Sequence, residues 1–261
     1  MTHIKQHQMK TDINDMTFLI PIRVDSIVRL ENLILSVQSL QKNFDTHITI
    51  LEASNYPNGI IQKILKNKVE YLFVEDKDPV FYRTKYLNSM TLSSRTPYIG
   101  IWDADVIIPK EQILDSIEKL RQGVDIAYPY DGHFYDTSIV IREVYSQIKS
   151  MKFLLNNIAK MSLIYGAKMK GGAMFVNKDA YIKAGMENEK FYGWGPEDWE
   201  RFERWKILNF KIHSSEGPLF HLTHSRGSNS GFRSMEQSIN TNKELLLTKF
   251  SSKEELFREL K

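Results

Sequence analysis

The sequence predicts an α/β fold: a doubly wound, mostly parallel sheet with helices on both faces, plus C-terminal helices. Three observations predict it. Short apolar runs and amphipathic segments alternate through the first half of the chain, as strands joined by crossover helices do. Polar clusters follow the first four apolar runs, and in such sheets ligands bind beyond the carboxyl ends of the strands. The chain has 261 residues, 42% apolar and 26% charged, enough for one large domain or two small ones with most of the chain surface buried.

Residues 16–22 (MTFLIPI) are an apolar run ending near Pro21 and read as a buried first strand. Residues 26–43 put Ile27, Leu30, Leu33, Ile34, Val37 and Leu40 on one helical face. Residues 47–51 (HITIL) form a second strand, and NYPNG at 55–59 a turn. A helix at 60–68, a strand at 71–74 (YLFV), a helix at 86–94 and a strand at 98–102 (YIGIW) follow. Residues 111–121 are an amphipathic helix carrying Ile113, Ile117 and Leu120, before a fifth strand at 125–128. The second half is less regular. It reads as helical over 139–161, strand at 171–176, helix at 178–184 and a loop rich in glycine and aromatics at 187–197. A charged helix at 198–208, a strand at 219–224, a loop at 225–231 and helix from 234 onward complete it. Residues 1–15 are polar and read as a flexible tail.

The chain has no cysteine, which excludes disulfides, thiolate metal sites and a cysteine nucleophile, and fits a reducing cytoplasm. No apolar run approaches the ~20 residues of a membrane span, and the polar first residues lack a signal peptide's apolar stretch. A net charge of +3 is too small to argue for nucleic acid.

Three motifs carry chemistry. Trp102-Asp103-Ala104-Asp105 follows the fourth strand. Two carboxylates one residue apart at a strand end can share a divalent cation and its waters, and hard oxygen ligands suit Mg2+ or Mn2+ beside a diphosphate. The plain alternative is two solvated aspartates in a turn. Gly193-Trp194-Gly195-Pro196-Glu197-Asp198-Trp199-Glu200 is the second. A helix start explains its proline and acids but not its tryptophans. An aromatic flanked by glycines can close over a ligand, and an adjacent carboxylate can act as general base on a hydroxyl. The third is Phe220-His221-Leu222-Thr223-His224-Ser225-Arg226, whose histidines and arginine suggest metal and phosphate binding. Residues three apart on a strand point to opposite faces. Unless the chain turns here, only one histidine can be a ligand, with His224 the first choice and His221 the second.

With these motifs in this order, the chain resembles GT-A glycosyltransferases carrying the galactosyltransferase-type C-terminal motif. That group includes the β-1,4-galactosyltransferases and the chondroitin-polymerase-type bacterial enzymes. The resemblance spans most of residues 16–231. It implies inverting, metal-dependent transfer of a galactose- or N-acetylgalactosamine-like unit from a UDP-sugar to a glycan or lipid-linked glycan hydroxyl, with Mn2+ or Mg2+. It implies Asp105 and His224 as metal ligands, Asp103 beside the ribose and metal waters, His221 as a further ligand and Arg226 near the diphosphate. It implies Asp198 as the base, Trp194 as a mobile tryptophan over the sugars, and Gly195, Glu197 and Trp199 at the substrate. Pro21-Ile22-Arg23 and Asp25 would touch the nucleotide; Glu52 and Asp76 would face uracil or ribose. Arg83, Lys85 and Asn88 either face the nucleotide or form a solvated helix face. Gly171 and Gly172 either let the backbone approach the donor sugar or make a tight start to a strand.

One departure stands out. Pro196 and Trp199 occupy positions where the motif has a second glycine and an acid. An acceptor-binding carboxylate is therefore missing, and an aromatic platform takes its place. The implied organisation is a nucleotide-sugar half at 16–128, an acceptor half at 129–232 and a helical extension at 233–261. That extension, with Leu245, Leu246, Leu247, Phe250, Leu256, Phe257 and Leu260 among lysines, reads either as an interfacial helix at the inner membrane face or as packing on its own domain or a twin subunit. A non-catalytic nucleotide-sugar- or carbohydrate-binding protein is the alternative function; the intact set Asp103, Asp105, Asp198 and His224 argues against it.

Overall fold

A computed structural model describes residues 9–164, 166, 168–227 and 231–259. The elements run β1 (Thr11–Ile22), α1 (Ile27–Asn43), β2 (Phe44–Ser54), α2 (Ile60–Leu65), β3 (Glu70–Glu75), α3 (Arg83–Ser93), β4 (Tyr98–Trp102), β5 (Val106–Ile107), α4 (Lys110–Arg121), β6 (Ile126–Tyr128) and β7 (Phe134–Asp136). Then come α5 (Ile139–Ile148), α6 (Met151–Asn156), β8 (Ser162–Leu163), β9 (Ala173–Asn177), α7 (Lys178–Lys183), α8 (Glu197–Ile207), β10 (Ile212–Ser214), β11 (Leu219–His221), α9 (Met235–Phe250) and α10 (Lys253–Glu259).

Among the described residues these strands form a seven-stranded sheet, β10-β6-β9-β4-β1-β2-β3, and a four-stranded one, β5-β11-β7-β8. In the larger sheet β1 runs parallel to β2 and β4, and β2 to β3, while β9 lies antiparallel between β4 and β6. The sheet is thus mixed α/β and mostly parallel. Its centre is dry because both faces are covered, as parallel strands require. Phe18 of β1 meets Trp102 of β4 edge-on at 5.3 Å, and Trp102 stacks on Phe175 of β9 at 6.0 Å. The buried Trp102 indole donates to Ser36 Oγ at 2.9 Å, tying β4 to α1. Ser26 caps α1 by accepting from the Arg29 amide.

Several boundaries differ from the sequence reading. The tail read over 1–15 is shorter, because β1 starts at Thr11 and buries Ile13 completely; residues 1–8 lie outside the described residues. The helix read over 139–161 is broken. Lys149 takes a left-handed conformation (φ 48) that ends α5, and Ser150 caps α6. The strand read over 219–224 stops at His221. Strands β5, β7, β8 and β10 were not expected; two or three residues are too short to show a period. At the C-terminus, α9 packs on α8, and the Thr248 hydroxyl donates to buried Glu200 at 2.9 Å. This fits packing on its own domain, although Phe250 is 85% exposed. No described helix is long and apolar enough to cross a membrane.

Candidate active site

A cavity of about 520 Å³ opens at the carboxyl ends of β1 and β4. One wall follows from strand pairing. β5 runs antiparallel to β11, with His221 opposite Val106, and the Leu222 amide donates to the Asp105 carbonyl at 2.7 Å. This register sets His221 beside Asp105. The chain then leaves the strand, and the turn lets His224 come back to the same carboxylate. Asp105 Oδ2 lies 3.0 Å from His224 Nε2 and 3.6 Å from His221 Nε2. The three donor atoms lie within 4.8 Å of one another. Both histidines therefore converge, because the chain turns after the strand, the condition under which the sequence allows His221 beside the first choice His224.

Neighbouring groups orient the rings. β7 runs parallel to β11, pairing Asp136 with His221, and the Asp136 carboxylate contacts His221 Nδ1 at 2.8 Å. His224 Nδ1 faces the Ser225 carbonyl at 2.8 Å. Each imidazole thus presents Nε2 inward, the outer-shell pattern of metal-binding histidines. Burial alone would raise the Asp105 carboxyl, but His221 and His224 hold it well below the usual carboxylate range. His221 moves oppositely: burial would lower it, and Asp105 with Asp136 pushes it up to about 10. One oxygen and two imidazole nitrogens fit a divalent cation, and the two nitrogens favour Mn2+ over Mg2+.

The opposite wall is the loop before α8 and its first turn, with Trp194, Gly195, Glu197, Asp198 and Trp199 all lining the cavity. Asp198 is held from behind. Its Oδ1 accepts from Arg201 at 2.5 Å, and the same buried guanidinium donates twice to Glu187, at 2.6 and 2.7 Å. The other oxygen, Oδ2, points at Gly171, where an added Cβ would sit 2.4 Å from it. β9 enters here from its antiparallel pairing with β4, and the Asp103 amide donates to the Gly172 carbonyl at 2.8 Å. Gly172 has φ +82, and a Cβ there would lie 2.6 Å from the Phe134 ring. A carboxylate fixed this way at a cavity wall can accept a proton from a hydroxyl. Next to it Glu197 is buried with Oε2 unpartnered; burial, then the Asp198 charge, pushes it up to about 8. Trp194 rests edge-on against Phe232 at 4.7 Å.

Between the walls, Arg83 donates to Asp103 at 2.7 Å, and its Nη1 is buried without a hydrogen-bond partner among the described residues. Arg23 is fixed by the carbonyls of Ala53 and Asp78 and by the Asp76 carboxylate. Pro21, Arg23, Asp25, Arg83, Asp103, Gly172 and Arg226 all line the cavity. Glu52, Asp76, Asn88 and Lys85 do not. Glu52 is fully buried and accepts from the Tyr71 hydroxyl and Asn58. Asp76 holds Arg23 and Tyr86. Asn88 pins Glu187 and Glu189, and Lys85 is exposed. For these positions the structure gives support roles instead of a place in the cavity wall. Sequence reasoning missed Asp136, Arg201 and Arg29, whose Nη1 lies 4.0 Å from Asp105. Each is an ordinary helix or strand residue whose role depends on pairing across the chain.

Residues 156–226 match the family model described as the N-terminal domain of galactosyltransferase. That stretch holds the Gly193–Asp198 and His221–Arg226 motifs but not Asp103–Asp105. No curated protein sequence matches the chain. Among solved structures, the catalytic domain of Drosophila β1,4-galactosyltransferase 7, in complex with xylobiose, superposes with a TM-score of 0.54 at 14% identity, covering 87% of this chain and 77% of that one. Glucosyl-3-phosphoglycerate synthase from Mycobacterium tuberculosis, in complex with Mn2+, UDP and phosphoglyceric acid, does so at 0.51 and 11%, covering 80% and 71%. The fold is GT-A. The GT-A scaffold and the matched segment together support a glycosyltransferase.

Proposed function

We propose that this protein is an inverting, Mn2+-dependent glycosyltransferase that moves a galactose- or N-acetylgalactosamine-like unit from a UDP-sugar to a glycan hydroxyl. The observation that carries the reading is the convergence of Asp105, His221 and His224 on one wall of a single cavity and Asp198 on another. Asp105, His221 and His224 would hold the cation, with Asp103 beside it. When bound, the cation supplies positive charge for a diphosphate leaving group.

The chain's own residues supply the rest. Arg23, fixed by Asp76 and two carbonyls, offers a rigid planar cation over Phe81 at the nucleotide side. The Nη1 of Arg83 offers a buried donor with no partner among the described residues. Asp198, held by Arg201, takes the proton from the attacking hydroxyl on the side of the sugar away from the diphosphate, and a single displacement of this kind inverts the anomeric centre. Trp194 and Trp199 present aromatic faces for sugar rings. The similar structures hold Mn2+ with UDP in one and xylobiose in the other, which supports this division.

The test is a screen of UDP-sugars for UDP release with Mn2+ present. One UDP-sugar is expected to turn over, EDTA to abolish the activity, and Mn2+ to restore it. Turnover unaffected by EDTA would remove the metal from the reading, and silence with every UDP-sugar would remove the donor class.

A further inference from the structure

Helix α5 buries Ile141, Arg142 and Tyr145 and turns another face outward. On that face Val140, Val144 and Ile148 are 71%, 37% and 51% exposed. They are four residues apart and make one apolar stripe, extended by Ile139 at the start of the helix. The chemistry around the stripe is basic. From Val144 to Lys178 the sequence has no acid, and Lys149, Lys152, Lys160 and Lys168 are exposed along it. The whole chain carries only +3, so this charge is segregated onto one segment.

A second cavity, of about 180 Å³, adjoins the end of the stripe and is separate from the first. Lys42, Lys110 and Lys149 line it, with Gln38, Asn43, Tyr145 and a single acid, Glu111. None of the three lysines forms an ion pair with a carboxylate among the described residues. Lys149 donates to Gln38 Oε1 at 2.7 Å, and Lys110 lies 5.9 Å from the Phe44 ring centre. Lys149 both ends α5 and lines this cavity, so stripe and cavity are continuous. Two exposed acids near α5, Glu31 and Glu143, both pair with Arg142.

We propose that the α5 face and this lysine-lined cavity form a docking site for an anionic lipid bilayer, the stripe entering the acyl boundary and the cavity taking a headgroup phosphate. A soluble phosphate would use the lysines but leave the stripe in water. A second copy of the chain meeting this face would bring like charges together. Apolar residues beside lysines, next to a phosphate-sized pocket, match the bilayer interface in both of its layers. The basic segment continues directly into Ile164, Met169 and Gly171 in the wall of the main cavity. If the transfer reading holds, docking here brings that wall to a lipid-linked acceptor; the docking itself does not depend on that reading.

The experiment is sedimentation of the full chain with vesicles of phosphatidylcholine, alone or mixed with phosphatidylglycerol. Binding is expected only to the mixed vesicles and is expected to weaken with salt. A Lys42→Gln/Lys110→Gln/Lys149→Gln variant should lose about a hundredfold in partitioning, near fivefold per lysine. Val144→Ser/Ile148→Ser should lose at least about tenfold. Both should melt like the parent, and Phe250→Ser on α9 should bind like it. Equal binding to neutral vesicles, retention in both α5-side variants, loss through Phe250→Ser, or full competition by inorganic phosphate or a soluble acidic peptide would each overturn the proposal. Because no transfer is measured, a failed activity screen leaves this result readable.

Discussion

The two walls of the main cavity hold the same functional group in opposite states. On the metal side, Asp105 is buried, yet two imidazoles keep its carboxyl well below the usual range. On the Asp198 side, Glu197 is equally enclosed but has no cation on Oε2, and burial pushes it up to about 8. Asp198 keeps a buried arginine on one oxygen and turns the other toward Gly171. Residue type does not decide whether a carboxylate binds a cation, accepts a proton or stays neutral. The partners that reach it across the fold decide.

The sharpest way to break this division is Asp198→Asn. Transfer should fall about 10²–10⁴-fold while UDP-sugar binding by calorimetry stays near parental. Parental turnover would mean that the proton goes elsewhere. Gly171→Ala probes the same carboxylate without touching its charge. The new Cβ would lie 2.4 Å from Asp198 Oδ2, so the side chain must swing away, with a loss in turnover on the order of 10²-fold and donor affinity kept. Loss of donor affinity instead would show that Gly171 serves the donor.

On the metal wall, Asp136→Asn keeps the size of the side chain that orients His221 and removes its charge. Mn2+ affinity should weaken by about tenfold, measured by titration, with the melting curve little changed. Unchanged affinity would leave Asp136 as a packing residue. The last test concerns Glu197 and reads stability instead of binding or turnover. Its folded pKa is raised above that of an unfolded glutamate, so the folded chain binds more protons between about pH 4.5 and 8 and stability falls as pH rises through that window. Glu197→Gln should remove that slope and stabilise the chain by on the order of 4 kcal/mol at pH 8 relative to the parent, read by denaturant unfolding. A parental slope in the variant would assign the pH dependence to other groups.

The first half of the molecule was legible because its strands and helices are long enough to show a period. Strands β1 to β4, with α1 and α4, fall close to where the apolar pattern puts them. The second half was legible in its motifs but not in its path. The GWGPEDW and HLTHSR motifs announced chemistry, yet the two-residue strand β5, which sets the register of His221 against Asp105, leaves no trace in sequence. Asn88, Glu52 and Asp76 stand after a strand or on a helix face in the sequence, and each is taken up by a partner 6 to 101 residues away that no local pattern reveals.

By itself the sequence determined the α/β class, the order of the helices and long strands, and which acids and histidines to suspect, because hydrophobic period and residue chemistry are local properties. Only the tertiary structure decided that both histidines meet Asp105, that Arg201 and Gly171 fix Asp198, and that Lys42 and Lys110 join Lys149 beside the α5 stripe. Those are distances between segments far apart in the chain, set by strand register and packing.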